Sequence, residues 1–96
     1  MNKKDKKFSR NLMVMNPEDN VAVCLRELKA GEEVDIIYND KERHLKIIDA
    51  IPLGHKVSLK QMKKGQPIVK YGQIIGKAKN DIAIGQHVHL HNVSDY

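Results

Sequence analysis

The chain has 96 residues, 41 % apolar and 30 % charged, enough for one compact domain with a modest core and too few for two independent ones. Its net charge of +5 is mostly local: residues 1–11 carry five basic groups and one acid, whereas the other 85 residues carry 12 basic and 11 acidic groups. A near-neutral body with no Trp and a single Phe lacks the basic, aromatic surface of a nucleic-acid binder, so no specific nucleic-acid partner is expected.

Residues 1–11 read as a solvated, disordered basic tail ahead of a folded domain spanning 12–96. The apolar run behind the tail, Leu12 to Met15, is too short for a signal-peptide core or a membrane span, which predicts a cytoplasmic protein with no membrane partner. Asn16-Pro17-Glu18-Asp19-Asn20 is a cluster of turn formers introducing a buried strand at Val21–Leu25. Within it Cys24, the single cysteine, reads as a buried, inert thiol. The β-branched runs Val34–Tyr38 and Leu45–Ile48 flank the polar stretch Asn39–Glu42 and predict a hairpin. After a break at Pro52-Leu53-Gly54, Ser58 stands three residues before Gln61, the spacing of a helix N-terminal capping box, and Gly65 supplies a stop, so a two-turn helix is expected there. The rest reads as short strands and tight turns: Ile68–Tyr71, Ile74-Ile75 and Gln86–His91.

A weak internal repeat runs through the chain. Leu28…Gly31…Val34, Met62…Gly65…Ile68 and Ile82…Gly85…Val88 share the pattern apolar-x-x-Gly-x-x-apolar, in which the first residue anchors a turn, glycine reverses the chain and the last residue opens a strand. Corners of this kind predict a small, mainly β domain with short helices that folds back on itself. Around Tyr71, Gly72 and Gly76 predict a bulged or sharply turned segment, or a backbone that closely approaches a ligand or another chain.

The chemistry-bearing residues are histidines. Read as a strand, His87 to His91 places His87, His89 and His91 on one face and Val88 and Leu90 on the other, which faces the core. Imidazoles two apart on a strand can share one divalent ion at roughly 2.0–2.1 Å per nitrogen, but an accessible face rich in imidazole also serves proton transfer or no ligand at all. Gly54-His55-Lys56 adds a titratable base beside a cation suited to a carboxylate. His44, on the hairpin beside Arg43, reads as surface. No phosphate loop, nucleophile context or cysteine cluster accompanies these residues. A domain of this size has little room for a closed active-site pocket, so a partner is expected to complete any site.

Taken in order, Asp19-Asn20-Val21-Ala22-Val23, Gly54-His55-Lys56-Val57, Lys70-Tyr71-Gly72 with Ile75-Gly76, and Gly85-Gln86-His87-Val88-His89-Leu90-His91-Asn92 resemble the SAF-type domain of the altronate and galactarate dehydratase family. The small subunit of (2R)-sulfolactate sulfo-lyase is similar across the same motifs. The resemblance implies a β-clip fold and a hydro-lyase that removes water from a sugar acid with a divalent metal, Fe²⁺ first and Mn²⁺ or Zn²⁺ as alternatives. It further implies a large dehydratase subunit as partner, with a homo-oligomer as a further assembly. Carried onto this chain, it makes His55, Lys56 and Tyr71 catalytic candidates, Lys56 and Asn92 substrate-binding candidates, and His87, His89 and His91 metal ligands. A non-catalytic carbohydrate-binding module of the same fold is the alternative outside enzymology. One departure is visible: relatives often place a histidine just ahead of Asp-Asn-Val, where this chain has Asn16.

Overall fold

The computed structural model describes residues 11–38 and 40–96. Apart from Asn11, the basic tail lies outside the described residues. The rest forms nine short strands: β1 (Leu12–Met13), β2 (Val21–Cys24), β3 (Glu33–Tyr38), β4 (Lys41–Lys46), β5 (Lys56–Ser58), β6 (Pro67–Lys70), β7 (Gln73–Ala78), β8 (His87–Val88) and β9 (Val93–Ser94). They assemble into a central sheet of order β1-β2-β5-β8, the hairpin β3-β4, and a three-stranded sheet β6-β7-β9, every pairing antiparallel.

Alternation along β2 explains why the central sheet is apolar on both faces. Ala22 and Cys24 point, with Leu12 and Val57, into a core shared with Val34, Ile36, Leu45 and Ile47 of the hairpin side. Val21 points the other way, with Val88, into a second core containing Met62, Ile68, Ala78 and Ile82. Burial pushes the Cys24 thiol up to about 12, so it stays protonated and unreactive. Asn20 stitches the layers together: its amide donates to the Pro67 carbonyl at 2.9 Å and accepts from the Val69 N–H at 2.8 Å, while its own N–H reaches the Val69 carbonyl. Asp19 accepts the Gly72 N–H at 2.8 Å and fixes the neighbouring turn.

The chain reverses at four equivalent corners, one more than the three repeats above. Gly31, Gly54, Gly65 and Gly85 all hold φ between 85° and 89°, the left-handed value that a type II turn demands of its third residue. Each glycine N–H donates across the corner, to the carbonyl of Ile47, Cys24, Ala78 or Ser58, at 2.7–2.8 Å. The N–H of that same partner returns to the carbonyl of the residue after the glycine, Glu32, His55, Gln66 or Gln86, at 2.8–3.0 Å. The apolar residue opening each corner, Leu28, Ile51, Met62 or Ile82, is at most 1 % exposed, and these residues pair as Leu28 with Ile51 and Met62 with Ile82.

Three local expectations are corrected. The helix after Ser58 does not form, and no described residue is helical. Leu59 donates to the Asn20 carbonyl, Met62 bridges Ile82, and the Ser58 hydroxyl turns to the Lys60 carbonyl instead of capping, so the backbone of this segment is committed to distant parts of the chain. The hairpin turn is tighter than predicted: Lys41 and Glu42 belong to β4, and left-handed Asp40 (φ 61°) sits in the link. β8 stops at Val88, so Leu90 is 79 % exposed and not in the core. Around Tyr71 the bulged reading applies, since the β6–β7 register shifts between Ile68 and Val69; the close backbone approach at Gly76 is to this chain's own β9, where a Cβ would lie 2.7 Å from the Ser94 carbonyl oxygen.

Candidate functional site

Antiparallel pairing of β5 with β8 sets Val57 opposite His87 and Lys56 opposite Val88. The corner at Gly54 delivers His55 to one end of this pair, and the turn after β8 delivers His89. His55 Nδ1 lies 2.9 Å from His87 Nε2, a hydrogen bond whose direction follows the tautomer. The His89 ring stacks on His55 at 4.0 Å between centroids, with 17° between planes. His91 is further out and exposed, its ring tilted against His87 at 5.1 Å. The strand alternation predicted for His87, His89 and His91 is thus replaced by a turn, and the residue it brings to His87 and His89 is His55.

Asn92 makes that turn. It is fully buried; its amide donates to the His87 carbonyl at 2.8 Å and its side-chain oxygen accepts the His89 N–H at 2.9 Å. Both ends are spent on backbone, so Asn92 positions the histidines and does not offer the substrate contact expected of it. Asp49 accepts the backbone N–H of His87 at 3.0 Å, a positioning contact with no local sequence signal. Lys56 is half-buried, and burial, with Lys70 nearby, holds its ammonium below the ordinary lysine value. It has no ion-pair partner among the described residues. Tyr71 sits at the turn between β6 and β7 in a left-handed conformation (φ 55°), 43 % exposed, with the Lys70 ammonium 4.9 Å from its ring centre. No direct contact joins it to the histidine cluster.

Two features show that the cluster suits a metal. One nitrogen each from His55, His87 and His89 lie within 4.8 Å of one another, the single such group among the described residues. Nitrogens bound at about 2.1 Å stand about 3.0 Å apart around an octahedral ion and about 3.4 Å around a tetrahedral one, close to the 2.9 Å between His55 and His87. The second feature is His89 Nδ1, which is buried with no hydrogen-bond partner; such an atom is costly unless something occupies its lone pair or proton.

Electrostatics disfavours charge on the His87 and His89 rings. Burial first, then His91, His55 and His89, holds His87 below the ordinary imidazole value; burial, His55 and Lys56 do the same for His89. Between their lowered folded values and about pH 6.5 both rings stay uncharged when folded and take up protons on unfolding, so their stability contribution is complete above about pH 6.5 and is lost as pH falls through the folded values. His44 behaves oppositely. Held by Asp35 at 2.8 Å and by Glu33, it has a raised value, and its contribution is complete below about pH 6.5 and lost as pH rises through that value. Thermal stability measured between about pH 5 and 8.5 should peak near 6.5. His87→Ala should flatten the acid limb and His44→Ala the alkaline one; a profile unchanged by both would contradict this assignment.

Short strands, four glycine corners and an open imidazole cluster together define a small mainly β domain that presents, and does not enclose, its histidines. The sequence matches the altronate/galactarate dehydratase SAF domain over residues 10–96, and the chain belongs to that family. It is 37 % identical over 83 residues to the altronate dehydratase of Bacillus subtilis and 42 % identical over 74 residues to that of Escherichia coli, covering 86 % and 77 % of this chain but only 16 % and 14 % of those enzymes. It is also 34 % identical over 89 residues to the (2R)-sulfolactate sulfo-lyase subunit alpha of Chromohalobacter salexigens, which covers 90 % of this chain and 95 % of that subunit. No helix among the described residues is long and apolar enough to cross a membrane.

Proposed function

We propose that this chain is the small subunit, or N-terminal domain, of an altronate dehydratase-like hydro-lyase that removes water from a sugar acid together with a large catalytic chain. The observation that carries the reading is the convergence of His55, from the Gly54 corner, with His87 of β8 and His89 of the turn after it, together with the buried, unpartnered Nδ1 of His89. A specific observation supports a second reading, the alpha subunit of a sulfolactate sulfo-lyase-like enzyme: the chain spans nearly the whole of such a subunit.

Both reactions are β-eliminations from a 2-hydroxy acid. The C2 proton leaves to a base, the bond from C3 to its leaving group breaks, and the enol formed becomes a 2-oxo acid; the leaving group is hydroxide, protonated to water, in one case and sulfite in the other. His55, His87 and His89 are the ligands for a divalent ion, and an all-imidazole set suits Fe²⁺ or Zn²⁺ better than Mn²⁺. When bound, that ion supplies Lewis-acid stabilisation of charge on the substrate's carboxylate and 2-hydroxyl. His91, exposed beside His87, is placed to move a proton between the site and its surroundings. Lys56, cationic and half-buried beside the cluster, holds the substrate carboxylate, and Tyr71 orients the outer end of the substrate. Asn92 and Asp49 keep the imidazoles in register.

The open site requires a second wall, which the large chain supplies. The test is reconstitution: this chain and a large dehydratase-type chain, separately and mixed with Fe²⁺, assayed for 2-oxo acid from altronate and galactarate and for sulfite from (2R)-sulfolactate. Activity confined to the mixture supports the proposal, and the substrate turned over decides between its two forms. Equal activity of the large chain alone would overturn it.

A further inference from the structure

Three of the four corners carry an additional side-chain cap. The residue after the glycine bends its side chain back and accepts the N–H of the corner's first residue: Glu32 from Lys29 at 3.0 Å, Gln66 from Lys63 at 3.1 Å and Gln86 from Ala83 at 2.9 Å. The backbone bonds of the fourth corner are the same, including His55 N–H to the Pro52 carbonyl at 3.1 Å, which matches Glu32 to Lys29, Gln66 to Lys63 and Gln86 to Ala83. Its first residue, however, is Pro52, which has no N–H to cap. The residue in the capping position is His55, and its ring is turned to His87 instead.

We infer that Pro52 is a positioning residue for the histidine site, because removing the donor that the other corners cap leaves residue 55 free to face His87 and His89. The argument is a competition between acceptors. Imidazole Nε2 lies three bonds from Cβ, as a Glu or Gln side-chain oxygen does, so a free N–H at position 52 would compete with His87 for the orientation of the His55 ring. With proline that competitor is absent in every conformation the corner adopts. The corner at the site thus departs from the other three in two ways, a histidine after the glycine and a proline two residues before it. Ile51-Pro52-Leu53-Gly54-His55-Lys56-Val57 has both.

The inference rests on the proposed function only for its consequence in metal binding; its structural part is tested without metal. In metal-free protein, ¹⁵N-detected NMR of the imidazole rings should show the His55–His87 contact perturbed in Pro52→Ala, with the His55 ring nitrogens shifted, while Lys63→Pro, which removes the corresponding donor at a corner without a histidine, leaves all histidine rings unchanged. A thermal cycle supplies a second reading. Pro→Ala loosens the unfolded chain in any background, so the informative quantity is the difference between backgrounds. Pro52→Ala should be better tolerated by about 3–5 °C in Tm when residue 55 is Gln, which can cap the new N–H, than when it is His. Co²⁺ affinity of Pro52→Ala should fall about 3–10-fold. Unchanged ring resonances together with equal Tm effects in the two backgrounds would overturn the inference. If wild type binds no Co²⁺ but the NMR and thermal effects appear, the metal reading fails and the positioning role of Pro52 stands.

Discussion

Replacing His87 by alanine is expected to lower turnover of the reconstituted enzyme by about 10²–10⁴-fold. The prediction follows from its place at the centre of the cluster: His87 is bonded to His55 at 2.9 Å, and its ring lies 5.6 Å from His89 and 5.1 Å from His91. Removing it leaves only the stacked His55–His89 pair of the three-nitrogen group, whereas removing His91 leaves that group whole. The fold should survive. The His87 contacts that hold the turn, from its N–H to Asp49 and from its carbonyl to Asn92, are backbone contacts that alanine keeps. Melting temperature at neutral pH should therefore move by only a few degrees. A His87→Ala enzyme retaining more than about a tenth of wild-type turnover would contradict the role given to it.

The largest effect on folding is expected from Gly85→Ala. A Cβ at Gly85 would stand 1.9 Å from the Lys46 carbonyl oxygen, and φ there is +85°. The close approach is structural: the Gly85 carbonyl accepts the Ile48 N–H at 2.9 Å, joining the end of the β3-β4 hairpin to the corner that opens β8. Left-handed backbone costs a residue with a side chain about 1–2 kcal/mol, and overpacking adds about 1–3 kcal/mol, more when the obstacle is backbone. A loss of about 3–5 kcal/mol is a large share of the 5–15 kcal/mol that holds a typical domain. Gly31→Ala is the control, since its corner has the same φ but nothing within 4 Å of the added carbon; it should cost about 1–2 kcal/mol. Urea denaturation of the two variants measures the difference, and equal midpoints would show that the contact with Lys46 can relax.

How far the sequence reveals this protein depends on the range of the interaction concerned. The glycine corners are local, and their apolar-x-x-Gly-x-x-apolar spacing marks them directly. The fourth carries the same spacing at Ile51…Gly54…Val57, but Pro52 and His55 replace the features that make the other three look alike. The Ser58 capping spacing is also local, and it misleads because the N–H groups of Leu59 and Met62 are claimed by residues 39 and 20 positions away in the chain. At the site, alternation placed His87, His89 and His91 on one face and missed the turn that Asn92 imposes after Val88. The meeting of His55 with His87 depends on β5–β8 pairing across 32 residues, which no local pattern encodes. The resemblance to the dehydratase family grouped these histidines before the structure gave the order in which they sit.

The central claim is that two distant segments of this chain, the Gly54 corner and β8 with the turn after it, build one imidazole site. It is tested most directly by titrating Co²⁺ into the whole purified chain and into a His55→Ala/His87→Ala/His89→Ala variant, following the visible absorption of the ion. One equivalent bound by wild type through nitrogen ligands, with that site lost in the variant and retained in His44→Ala, is the predicted result. Binding of equal strength and spectrum in wild type and the triple variant would contradict it.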